Sequence, residues 1–106
     1  MDYSKYGFRE DYNYDNRVVK QEYVTFGGNE YFVSTVDLGL DHRFGEGEPL
    51  YYETMIFPKG EWDDLYCNRY TDRETALEEH EKLVKDIING KYAIFRGCFE
   101  KRMEEK

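Results

Sequence analysis

Two cysteines in 106 residues are too few for a disulfide framework, and neither Cys67 nor Cys98 sits in a CxxC pair. No run approaches the roughly 20 apolar residues of a membrane span. The first sixteen residues carry tyrosine and acid where a signal peptide needs an apolar core. These absences predict a reduced, cytoplasmic protein without a membrane partner. Basic residues are also scarce: 15 Lys and Arg stand against 23 Asp and Glu, for a net charge of −8 and a pI near 4.8. That balance opposes direct nucleic-acid binding, which relies on cations to neutralise phosphates. It steers the chain toward basic surfaces instead.

What is abundant is aromatic: 11 Tyr and 7 Phe, with a single Trp, in a chain that is 40% hydrophobic. One small core is expected at this length. Tyrosines at such density need water or a partner for their hydroxyls. Met1 to Asn16 interleaves Tyr3, Tyr6, Phe8, Tyr12 and Tyr14 with carboxylates and follows no helical or strand period. This predicts a mobile arm over 1–16, either a frayed terminus or a segment that orders on a partner.

From Arg17 the texture changes. "RVVKQEYVTF" and "EYFVSTVDL" flank Gly27-Gly28-Asn29, a strong hairpin signal. "PLYYETMIF" and "DLYCNRY" supply two more strands. Thr71-Asp72-Arg73-Glu74 has the form of a capping box with the Thr71 hydroxyl on the helix amides. The helix it starts runs from Asp72 to about Ile88 and stops at Asn89-Gly90. Ala76, Leu77, His80, Leu83, Val84, Ile87 and Ile88 form one stripe. "KYAIFRGCF" fits a fifth strand or a short helix, and 100–106 is a charged tail. The predicted fold is α+β: an antiparallel four- to five-stranded meander with one amphipathic helix on one face, in a single domain over 17–99.

Pairing Leu38 with Pro49 across the loop puts Asp37 near Leu50 and Thr35 near Tyr52. The helix should take the more apolar face of the second strand, with Phe32, Val36 and Leu38, leaving Thr35 and Asp37 turned away. The third strand is apolar on both sides, which suits a sheet covered twice, or covered once and used for binding on the other face.

Asp41, His42, Glu53 and His80 are the candidate acid, base or metal residues, because histidine titrates near neutral pH and carboxylates complete such sites. "DLGLDHRFGEGE" does not fit a calcium loop, and one His among carboxylates falls short of a zinc signature, so no metal or cofactor is assigned. A plainer reading has Asp41 and His42 bonding the loop backbone, while Glu53 meets His80 between sheet and helix.

"STVDLGLDHRFGEGEPLYYETMIF" followed by "NRYTDRETALEEHEKLV" resembles a family of small proteins of tailed bacteriophages, prophages and other mobile elements. Ser34, Thr35, Val36, Leu38–His42, Gly47, Pro49, Leu50, Glu53–Met55, Phe57, Arg69, Tyr70, Ala76 and His80 carry the likeness, over about 34–84. It departs at Asp37, where a large apolar residue is expected, and in the "ETALEEH" turn. The resemblance implies a bacterial cytoplasm during infection or lysogeny, and small acidic phage proteins include inhibitors of CRISPR nucleases that occupy the DNA groove. The leading expectation is therefore a non-enzymatic, anti-CRISPR-like inhibitor that mimics DNA and binds a basic host protein. Its binding residues would be Asp37, Asp41, Glu46, Glu48, Tyr51 and Glu53, with Tyr3, Tyr6, Tyr12 and Tyr14 of the arm. The alternative is a metal-dependent or acid/base enzyme built on Asp41, His42, Glu53 and His80.

Overall fold

Gly27 and Gly28 adopt φ of 59° and 81°, the left-handed pair that a two-residue hairpin turn requires. They join β1 (Val18–Phe26) to β2 (Asn29–Asp37), with Phe26 opposite Asn29. The computed structural model describes residues 7–43 and 45–102. Beyond the long loop, β3 (Tyr52–Pro58) and β4 (Tyr66–Tyr70) complete an antiparallel sheet in the order β1-β2-β3-β4. Helix α1 (Arg73–Ile88) lies across one face of it. β5 (Tyr92–Phe95) and β6 (Cys98–Lys101) then form a separate two-stranded sheet. The α+β class with a four-stranded meander and one packed helix is as expected. The last segment is neither a fifth strand of that sheet nor a helix. Glu100 and Lys101, assigned to the tail, belong to β6.

The core forms where Val24, Tyr31, Val33 and Ile56 of the sheet meet Leu83, Val84 and Ile87 of α1, and Phe99 of β6 closes one end. Phe99 stands edge-on to Tyr31, with ring centroids 5.0 Å apart, and its amide bonds the Leu65 carbonyl at 2.7 Å. Burying each large aliphatic side chain here contributes about 1.5–3 kcal/mol.

The helix covers the face of β2 opposite to the one expected. Tyr31, Val33 and Thr35 point toward it, and Phe32 and Val36 point away. Hydrophobicity alone selected the wrong face, because α1 also buries His80 and needs hydrogen-bonding groups beneath it. The register across the loop is shifted as well: Asp37 pairs with Tyr52 and Thr35 with Thr54. A two-residue shift keeps every side chain on its own face, so it did not cause the reversal.

Smaller differences follow from local bonding. Asp72, not Thr71, caps α1, its carboxylate accepting from the Thr75 amide at 2.8 Å. Leu77 and Ile88, expected on the buried stripe, are exposed, and Asp86 is buried instead. Of the predicted arm, 7–16 is docked rather than free, and 1–6 lies outside the described residues. Phe8 and Tyr12 stack at 4.9 Å over Gly39, whose left-handed φ of 72° and lack of a Cβ admit them. Arg9 bonds Asp37, and Arg73 of α1 holds the carbonyls of Asn16 and Val18. No helix among the described residues is long and apolar enough to cross a membrane.

Candidate protein-interaction face

The four proposed acid/base residues do not come together. His80 is fully buried under α1, with Nε2 2.8 Å from Glu22 Oε2 and Nδ1 2.6 Å from Thr35 Oγ1, which in turn lies 2.5 Å from Thr54 Oγ1. A carboxylate only accepts, so Nε2 carries the proton. Nδ1 then accepts from Thr35, and Thr35 accepts from Thr54. Burial lowers the His80 pKa, against an opposing pull from Glu22. This is the arrangement of a neutral core histidine. Thr35 and Thr54 are wholly enclosed, so neither hydroxyl can reach a substrate.

Glu53 lies on the other face of the sheet, because it alternates with Thr54. It bonds Arg69 Nε at 2.9 Å and accepts from the Cys67 thiol at 3.5 Å, so the expected Glu53–His80 contact is replaced on both sides. Burial, reinforced by the Glu53 charge, pushes the Cys67 thiol up to about 11, which keeps it protonated. His42 sits in the loop, where its amide bonds the Leu50 carbonyl. Among the described residues no group of three or more His, Cys, Asp or Glu is placed to hold a metal.

The acidic loop is also less available than its composition suggests. Asp37 is buried and takes Arg9 through two bonds, at 2.6 and 3.2 Å, while Arg9 lies over the rings of Tyr51 and Tyr52. Asp41 accepts from the amides of Arg43 and Leu50, both at 3.0 Å, and these bonds lower its pKa. It staples the loop, as the plainer reading anticipates. Tyr14 is stacked under Arg17, and Tyr12 packs on Gly39. Tyr3 and Tyr6 lie outside the described residues. Glu46 and Glu48 remain exposed in the loop.

The sheet face turned away from α1 has a different character. Phe32, Val36, Met55, Phe57 and Trp62 wall a shallow depression of about 460 Å³, with Gln21, Ser34 and Glu53 as its polar members. Its rings are layered: Tyr23 lies 5.1 Å from Phe32, and Phe57 meets Trp62 edge-on at 5.9 Å. Trp62 is 83% exposed and Tyr23 56%, unusual for the large apolar residues of a single domain. Exposed Glu61, Asp63 and Asp64 flank Trp62 in the chain. Sequence reasoning allowed for a sheet face left to binding but placed it on the Thr35 and Asp37 side, and it passed over Trp62. The signal for it was "EWDD", the one tryptophan set among carboxylates directly after a turn.

No family model matches this chain, and neither the curated proteins nor the solved structures contain a match.

Proposed function

We propose that this protein is a non-enzymatic accessory factor of a phage or mobile element that inhibits a host defence protein, CRISPR nucleases being the leading class, by binding it. The observation that carries the reading is the second face of the sheet, aromatic, walled into a depression and uncovered by α1 or the β5–β6 hairpin. A monomeric domain does not ordinarily leave such a patch to water. The net charge of −8 favours a basic partner, and the phage-like core supplies the cellular setting. DNA mimicry keeps support from overall charge and from Glu46 and Glu48. It loses support from Asp37, Asp41 and Glu53, which are committed to internal bonds.

The test is capture of the partner from a bacterial lysate with the full tagged chain, followed by competition with duplex DNA for that partner. Affinity should fall steeply between about 0.1 M and about 1 M salt, as the screening length shrinks from about 10 Å to about 3 Å. Capture that ignores salt, or DNA that binds the partner undisturbed, would remove the inhibitory mimicry. Failure to capture any protein would remove the binding role itself.

A further inference from the structure

The sheet face that the described residues leave open has a chemistry that selects its occupant. It is aromatic at one end, where Tyr23, Phe32, Phe57 and Trp62 cluster. It holds a carboxylate within, since Glu53 is only 8% exposed and still lines the depression. Arg69 and Cys67 both bond Oε2 of that carboxylate, so its charge is already paired within the fold. Exposed Glu61, Asp63 and Asp64 flank Trp62 in the chain, and the Asp64 charge reaches Cys67 beside Glu53. A cation already rests on one of these rings: Lys59 Nζ lies 5.6 Å from the centroid of Tyr23.

We infer that this face binds an arginine-bearing, otherwise apolar segment of a partner protein, with a guanidinium against Trp62 and aliphatic side chains in the depression. Guanidinium is the cation that stacks on indole while bonding carboxylates in a fork, and it sheds water more readily than ammonium. Charge complementarity argues against the other occupants. Phosphates of a nucleic acid would meet Glu61, Asp63 and Asp64. A second copy of this chain would set two such acidic stretches against each other. Aromatic residues in a desolvated pocket are where binding energy concentrates. The inference deepens the proposed function by naming the face and the partner's chemistry.

Trp62 is the only tryptophan, so its emission reports on this face alone. The probe is a synthetic amphipathic peptide alternating Arg and Leu, compared with versions carrying Lys or Glu in place of Arg. The Arg peptide should shift Trp62 emission to the blue and bind more tightly than the Lys peptide, and the Glu peptide should not bind. By anisotropy of labelled peptide, Trp62→Ala should weaken binding roughly tenfold or more. A Glu61→Gln/Asp63→Asn/Asp64→Asn variant should do so as well. All four positions are exposed, so folding is preserved and is checked by circular dichroism. Removing the same charge from α1, as Glu74→Gln/Glu78→Gln/Glu81→Gln, should leave affinity in place.

Equal loss from both triple variants, an unchanged Trp62 spectrum, or equal affinity for the Glu peptide would overturn the inference. A blue shift on concentrating the protein alone, with a dimer in sedimentation, would give the face to a second copy instead. If a host protein captured by the wild type is retained by Trp62→Ala and by the Glu61→Gln/Asp63→Asn/Asp64→Asn variant, this surface is wrong while the binding role stands.

Discussion

At His80 the direction of every proton in a buried chain is fixed by one carboxylate. Glu22 accepts from Nε2, so Nδ1 must accept from Thr35, and Thr54 donates to Thr35. His80→Ala removes the ring and leaves the Thr35 hydroxyl without its acceptor, which should cost about 3 kcal/mol in urea unfolding at neutral pH. Thr35→Val strands Nδ1 and the Thr54 hydroxyl, for about 1–3 kcal/mol. The pH dependence has a definite sign. Burial depresses the His80 pKa in the folded chain, so the unfolded chain binds more protons below its own pKa of about 6.5. Stability from neutral His80 is therefore complete above that pH and declines as pH falls toward the folded value. His80→Ala should flatten this limb of the profile; identical slopes for variant and wild type would mean that the buried ring is not held neutral.

Among the elements, those specified by neighbouring residues were legible. Gly27-Gly28 can only be a turn between two β-rich runs, and the 3.6-residue stripe through Leu83, Val84 and Ile87 can only be a helix. Where two neighbours offer the same chemistry, sequence could not choose: Thr71 and Asp72 are both good caps, and the structure selects Asp72 through its bonds to Thr75. Asp72→Ala should lower the urea midpoint and the helical ellipticity at 222 nm, whereas Thr71→Ala should leave both near wild type, since its hydroxyl touches only the Asp72 carboxylate. The opposite ranking would restore Thr71 as the cap. Which sheet face α1 covers was illegible for a different reason. It depends on matching His80 to Thr35 across 45 residues, and no local pattern carries that.

At the scale of the whole molecule the same long-range pairing explains why the acidic site was misjudged. Counting carboxylates between Asp37 and Glu53 overlooks Arg9 and Arg69, cations brought in from distant parts of the chain. Arg9 also makes the N-terminal segment part of the folded unit. Its guanidinium is held charged by the Asp37 carboxylate, and Phe8 and Tyr12 fill the space that Gly39 leaves open. Deleting residues 1–16 would leave Asp37 buried and without that cation, and should destabilise the protein by about 3 kcal/mol; a free arm would cost nothing. Gly39→Ala tests the same docking without truncation. A Cβ there would lie 2.5 Å from Tyr12 and 2.6 Å from Phe8, on backbone that disfavours any side chain. It should cost about 1–3 kcal/mol and open Arg9 to trypsin. An unchanged urea midpoint in both variants would show that the segment does not belong to the fold. The outcome also decides how binding data are to be read. If the deletion destabilises the sheet, loss of partner capture by the shortened chain reports unfolding, and only surface changes such as Trp62→Ala locate the contact.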